Sequence, residues 1–508
     1  MKHIGKLSFL SLLAASLSLT SCYLFDINGD KIEKAKINYT YNDFLNHNYH
    51  DIDGTPLTGS PKLLVIPVWF TDSKYYVPKT EQSKVRADIQ KAYFGDDTDV
   101  GWKSVKTYYE ELSDGKLTLT GVVTPWYECK RPSSAYYSDL SGQAATNALV
   151  SSAVSWYQEQ TGLSDLKEFD TDHNGYLDGV MLIYAAPDYG ALRNKDAPNL
   201  WAYCYWLQGG NRNVNDPKPN AFFWASYDFM YGSNTAPTAY NSGDTSHCKI
   251  DTHTFIHEMG HMFGLEDYYD YSNQYIPAGG YSMQDLNIGS HDPYSVLAFG
   301  WANVYAPNNS CTLELNNFQS SHDVIMLTNH FSSSPFDEYL LLELYTPTGL
   351  NEFDTKYQYM SKYPQGPISP GIRLWHVDAR LLEVDRESST ITNWATKIAS
   401  DGAYIHAMSN TYYKADSSSE SYITPLGKDY ADYNILQLVR NSKSATYRQN
   451  TLISDGDLFH SGDSFNISNF SKQFVKGDKM NDNNKVSWSF TINSLTSNKA
   501  VISFNKSK

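Results

Sequence analysis

The stretch Asp251–Asp270, DTHTFIHEMGHMFGLEDYYD, sets three histidines and several acids among phenylalanine, isoleucine and methionine. Its apolar spacing reads as a buried helix, so the titratable groups need a reason. His257 and His261 lie four positions apart, which puts both imidazoles on one helix face, one turn apart. Neutral imidazole nitrogens suit zinc, and two of them with a third ligand leave a fourth position for water. Glu258, next to the first histidine, is placed to take that water's proton. Gly264 follows the second histidine by three residues, where a glycine ends a helix by adopting φ > 0. The chain then turns back, and Asp267 can reach the same metal, with Glu266 and Asp270 as other oxygens in range. Histidines merely packed in a core helix would not need this spacing or the adjoining acid.

The rest of the chain bounds what such a site could serve. At 508 residues it buries a sizeable core and is long enough for two domains. A formal charge of −16, from 40 basic and 56 acidic residues, argues against nucleic acid, which selects a basic footprint. The same charge argues against electrostatic attachment to anionic lipid. The 40 tyrosines and 11 tryptophans read as a large aromatic core.

The N-terminus reads as a leader. MKHIGK is a short basic start, and LSFLSLLAASLSL is an apolar run too short to span a bilayer. It runs into Leu19-Thr20-Ser21-Cys22, which resembles the lipobox of bacterial lipoproteins; the resemblance implies acylation of Cys22 and an exported protein tethered by lipid. Four further cysteines, Cys129, Cys204, Cys248 and Cys311, have no CxxC spacing, so a thiolate metal site or redox motif is not indicated. In an oxidising compartment they permit disulfides. Cys204 and Cys248 flank the approach to HEMGH, where a bridge would brace it; four free thiols are the alternative.

A second ion site is legible in EFDTDHNGYLDG (168–179). Asp170, Asp172, Asn174 and Asp178 alternate, with Gly175 at the sharp turn and the Tyr176 carbonyl between. Hard oxygens at this spacing match the first part of an EF-hand-type calcium loop, though Met181 stands where the bidentate glutamate would be. A solvated Asx turn is the plainer reading; calcium is the expectation.

Along the chain, KLLVIPVWF (62–70) and GVMLIYAAP (179–187) read as buried strands. Residues 143–160 place Leu149, Val150, Ala153, Val154 and Tyr157 at helical spacing. KTYYEELSDGKLTLTGVVTPW (106–126) reads as a helix end, a Ser-Asp-Gly turn and a strand. AFFWASYDF (221–229) is the expected edge strand for substrate. From about Ala306 the texture changes to short alternating strands between Ser, Asn, Asp and Gly turns.

The pattern HExxHxxGxxD resembles the zinc signature of the metzincin metallopeptidases, which implies Asp267 as the third ligand. A methionine turn beneath the metal is then expected, and AGGYSMQD (278–285) offers Met283. With YYEELSDGKLTLTGVVTPWY and GSHDPYSVLAFGWANVY (289–305), the chain looks like the immune inhibitor A family of secreted bacterial metallopeptidases. In that family a G-x-x-x-M turn precedes a histidine, a proline and a Phe-Gly-Trp, matched by His291, Pro293 and Phe299-Gly300-Trp301. The family's calcium agrees with the acidic loop. Tyr281 and Tyr294 are the tyrosines considered as proton donors, and His376 and Asp378 are read as structural.

The implied fold is α+β: a metzincin-like catalytic domain with a mixed sheet and an active-site helix, then a β-rich region. The expected organisation is a lipoprotein signal peptide over 1–21, a tether or short pro-segment over 22–58, a zinc metallopeptidase domain over 59–305 and β-rich structure over 306–508. The expected function is a lipid-anchored zinc endopeptidase on the extracellular face of a bacterial membrane, acting on proteins or peptides. A surface adhesin with structural zinc is the competing reading, but such a site has no use for Glu258. A zinc hydrolase of non-peptide bonds is another.

Overall fold

The computed structural model describes residues 54–507, apart from 193, 208–211, 232–248, 272–274, 329–336, 360–362, 385–390, 396–403, 408–409 and 411–432. The leader, Cys22, most of the tether and Cys248 therefore lie outside the described residues.

The first sheet is built from strands β1 (Lys62–Trp69), β2 (Thr120–Val123), β3 (Tyr127–Glu128), β4 (Val180–Tyr184), β5 (Tyr203–Trp206) and β6 (Ala221–Ser226). Its order is β2-β1-β4-β6-β5, with β3 also on β1. All pairings are parallel except β5 with β6. Strands covered on both faces read as continuous apolar runs, and that is what VIPVW and VMLIY are. Successive residues alternate between two cores. Leu63, Val65, Met181, Ile183 and Phe223 face the core beneath the helix His253–Met262. Leu64, Ile66, Leu182 and Trp224 face the core beneath the helix Asp139–Thr161, which contributes Leu149, Val150, Ala153, Val154 and Tyr157 as its spacing predicts. Each fully buried Leu, Ile or Phe contributes about 1.5–3 kcal/mol.

One expectation is corrected here. AFFWASYDF was to be the edge strand, but β6 lies between β4 and β5, and all six of its residues are buried. The edge is β5, where Tyr203–Trp206 are half-exposed. Both segments are apolar and aromatic, so periodicity alone does not separate a central strand from its neighbour at the rim.

The second sheet orders Leu436–Val439, Gly371–Asp378, Glu338–Tyr345, Asp323–Leu327 and Asn303–Tyr305. The β-rich part thus begins with Asn303, a little before the change of texture at 306. A further four-stranded sheet joins Ser464–Asn466, Trp488–Leu495, Lys499–Lys506 and Cys311–Asn316. The core beneath His253–Met262 runs without a break into Tyr339, Leu341, Trp375 and Leu438 of the second sheet, so the metal helix is sandwiched between the two sheets' side chains.

Candidate metal centre and active site

His253–Met262 is helical as its spacing predicts, and the helix ends where Gly264 takes φ 98°. The Gly264 amide donates to the His261 carbonyl at 2.8 Å and the Leu265 amide to the Gly260 carbonyl at 3.1 Å. This sharp stop returns the chain along the helix and brings Asp267 beside both imidazoles. Gly260 is a second constrained glycine: a Cβ there would lie 2.1 Å from the Gln284 side-chain oxygen, so only glycine lets 283–286 pack so close.

Each imidazole is held from behind by a carbonyl. His257 Nδ1 donates to Met283 O at 2.7 Å, and His261 Nδ1 donates to Leu265 O at 2.7 Å. A carbonyl only accepts, so both rings carry their proton on Nδ1 and turn an Nε2 lone pair outward. Those two Nε2 atoms are 3.2 Å apart, and Asp267 Oδ1 is 3.0 Å from one and 3.2 Å from the other. Tetrahedral zinc with bonds of 2.0–2.1 Å separates its ligands by about 3.3–3.4 Å, so this triangle has the size of three corners of such a site. Three acceptors converging in a buried place repel one another unless a cation lies between them.

The electrostatics carry the same demand. Burial works against charge on His261, but the Asp267 carboxylate outweighs it and lifts the imidazole to about 10. Burial also opposes ionisation of Asp267, yet His261 and His257 hold its carboxyl far below the usual range. Burial pushes Glu258 up, partly offset by the two histidines. Its Oε2 is buried with no hydrogen-bond partner, while the residue lines the cleft that His257, His261 and Asp267 also line. An unpartnered buried carboxylate beside a metal-sized triangle is a proton acceptor awaiting a donor.

The cleft has a volume of about 920 Å³ and is lined on one side by the edge strand, including Tyr203, Cys204 and Trp206. The opposite wall includes Tyr363, Asn450 and Leu452 from the C-terminal half. Met283 is fully buried in the turn beneath the metal triangle, and its contact with the site is the carbonyl on His257. Tyr281 and Tyr294 are buried in packing, with Tyr281 Oη donating to Asn351 O at 3.1 Å. The tyrosines beside the site are instead Tyr269, a cleft residue stacked near His257, and Tyr271, whose hydroxyl donates to Asp267 Oδ2 at 2.5 Å. The alternation in EDYYDY was the available signal for them. Glu266 and Asp270 line the cleft but stand outside the metal triangle.

Asp170, Asp172 and Asp178 also bring carboxylate oxygens within 4.8 Å of one another. Asp170 accepts the amides of Asn174 and Gly175 at 2.9 and 3.1 Å, and Asn174 Oδ1 accepts the Tyr176 amide at 2.8 Å. The turn uses His173 at φ 59° and Gly175 at φ 90°. Burial pushes Asp178 up to about 6, against hydrogen bonds from the Lys62 and Thr171 amides. Hard oxygens gathered on a tight turn suit a calcium ion. His376 and Asp378 are structural, bonded to Glu338 and Arg380 respectively at 2.7 Å. Cys129, Cys204 and Cys311 are free thiols; Cys204 Sγ lies 3.2 Å from Met262 Sδ, and Cys248, considered as its partner, is outside the described residues.

No curated protein matches the chain. Residues 60–287 match the immune inhibitor A peptidase M6 catalytic domain, a span that holds the whole first sheet, the metal triangle, Glu258 and Met283. The chain is therefore a metallopeptidase, a hydrolase of peptide bonds whose catalytic domain is of the immune inhibitor A family.

Proposed function

We propose that this metallopeptidase is a zinc endopeptidase, exported and lipid-anchored through Cys22 at the extracellular face of a bacterial membrane, with a structural calcium ion in the loop at 170–178. The observation that carries zinc is the triangle of His257 Nε2, His261 Nε2 and Asp267 Oδ1, with each ring's Nδ1 fixed on a carbonyl. Zinc held there supplies a Lewis acid that polarises the scissile carbonyl and lowers the pKa of water. Glu258 takes the proton from the attacking water and later delivers it to the departing amine. β5, at the sheet edge along the cleft, offers its backbone to an extended peptide, which would add as a further strand.

The anchor rests on the residues Leu19-Thr20-Ser21-Cys22 after the apolar run. Among the described residues no helix is long and apolar enough to cross a membrane. An acyl chain on Cys22 would supply membrane affinity that an acidic chain does not. Incubating the purified protein with protein, peptide and glycan substrates, with and without a chelator, tests the enzymology. Chelator-sensitive cleavage inside peptides, restored by zinc, is expected; cleavage of glycans alone would overturn it. For the anchor, Cys22→Ala should leave the membrane fraction or accumulate unprocessed.

A further inference from the structure

The cleft around the metal triangle is lined by carboxylates and aromatic rings and by no lysine or arginine. Glu258 and Asp267 belong to the chemistry above. Glu266, Asp270 and Asp285 line the same cleft with no part in it. Asp285 stands apart from an ordinary acidic surface. It is fully buried; its Oδ2 accepts the Gly280 amide at 2.7 Å, and its Oδ1 has no hydrogen-bond partner. A buried oxygen left unpaired costs about 1–3 kcal/mol, and more when charged, so folding alone does not favour keeping it. Arg440, the guanidinium whose charge reaches Asp285, is already held by Asp457 at 3.0 Å and by the carbonyl of Leu452 at 3.3 Å. No protein cation lining the cleft neutralises this wall.

We propose that the cleft selects a positively charged side chain, lysine or arginine, next to the scissile bond, with Asp285 as the specificity-determining carboxylate. The inference rests on the endopeptidase reading. A cationic side chain entering the cleft gains from Asp285 at the wall and from Glu266 and Asp270, at reduced dielectric. The rings of Trp201 and Tyr363 add faces that attract a cation. A glutamate or aspartate in the same place meets like charge. Leu286 and Asn287, which follow Asp285, line the cleft too, so the acid is continuous with a surface that substrate can touch.

The test compares kcat/KM for zinc-loaded protein on matched peptides with Lys, Leu or Glu at each position flanking the cleaved bond. The expected result is a preference for Lys over Leu of about tenfold or more at one position, with Glu poorest, and a preference that weakens as salt is raised. Asp285→Asn keeps an oxygen for the Gly280 amide but removes the charge, so its Lys-to-Leu ratio should fall towards one. Leu peptides cleaved as well as Lys peptides at every position, or an unchanged ratio in Asp285→Asn, would overturn the proposal. Should that variant fail to fold, Glu266→Gln must lower the ratio severalfold, and an unchanged ratio there overturns it equally. Titrating the peptides onto Glu258→Gln protein gives a readout without turnover. Equal affinity for Lys and Leu peptides overturns the charge preference, whereas tighter binding of the Lys peptide with no cleavage by the parent overturns the endopeptidase reading alone.

Discussion

The two principal sheets bury different things. Strands β1, β4 and β6 of the first send only apolar and small side chains into the cores on either face, apart from Ser226 at the end of β6. The second sheet puts charge in mid-strand. Glu343 and Arg373 face each other across adjacent strands, both fully buried, with Arg373 Nε 2.7 Å from Glu343 Oε1. A buried ion pair is a weak source of stability, because desolvation offsets most of the Coulomb gain. Here the geometry gives it another use. Arg373 Nη1 donates to the Tyr281 carbonyl at 3.0 Å, two residues before Met283, whose own carbonyl holds His257. Asn351 and Asp354 grip the far side of that turn, accepting the amides of Ser290 at 3.0 Å and Gly289 at 2.7 Å. The first sheet and its helix supply the metal ligands; the second supports the turn that aims one of them. The catalytic match ends at residue 287, yet the support for its turn comes from beyond it.

The sharpest way to break that comparison is Arg373→Met. It frees the Tyr281 carbonyl and leaves Glu343 as an uncompensated buried charge, so a loss of about 3–5 kcal/mol in unfolding free energy is expected. Zinc affinity should fall by about 10- to 100-fold, as for other groups that orient metal ligands. Denaturant unfolding and metal titration on one preparation check both. A change under about 1 kcal/mol with unaltered zinc affinity would make the second sheet a bystander.

His253 sharpens the same comparison, since it ties the metal helix to the C-terminal half. It is fully buried, stacked between Trp102 and Tyr359 at centroid distances of 4.1 and 4.3 Å. Its Nδ1 lies 2.8 Å from Asp251 and its Nε2 3.3 Å from Asp354. Burial disfavours its charge, but Asp354 and Asp251 outweigh that and raise it to about 9. With the folded value above the ordinary 6.5, its contribution is complete below pH 6.5 and is lost as pH rises through about 9. The gap corresponds to roughly 3 kcal/mol. Melting measured from pH 6 to 10 should show this alkaline loss in the parent and a flatter profile in His253→Gln. Parallel profiles would show that His253 stays neutral.

The smallest effect belongs to the loop under β4. Calcium at a hundred times its dissociation constant should stabilise the parent by about 2.7 kcal/mol and Asp170→Ala by much less. An equal rise in melting temperature for both would move the ion elsewhere.

What the sequence made legible was local. HEMGH and its glycine fix two ligands, a base and the helix end within eight residues, because helical periodicity is short-ranged. The acidic loop is readable for the same reason. The supports are not: Met283 and Leu265 act through carbonyls, which every residue has, and Arg373 meets Tyr281 from 92 positions away. Tyr363, Asn450 and Leu452 likewise reach the cleft only through the fold. The edge strand was misplaced because β5 and β6 are both short and aromatic, and burial on one face or two depends on neighbours.

The central claim is that His257, His261 and Asp267 hold zinc while Glu258 moves the proton. The most direct measurement is zinc content and peptidase rate together on the parent and on Glu258→Gln. The amide is nearly isosteric and leaves the triangle intact, so one zinc per chain should remain while turnover falls by roughly 100- to 10,000-fold. A Glu258→Gln protein that keeps its zinc and cleaves at the parental rate would contradict the mechanism, and one that loses its zinc would make Glu258 a ligand rather than a base.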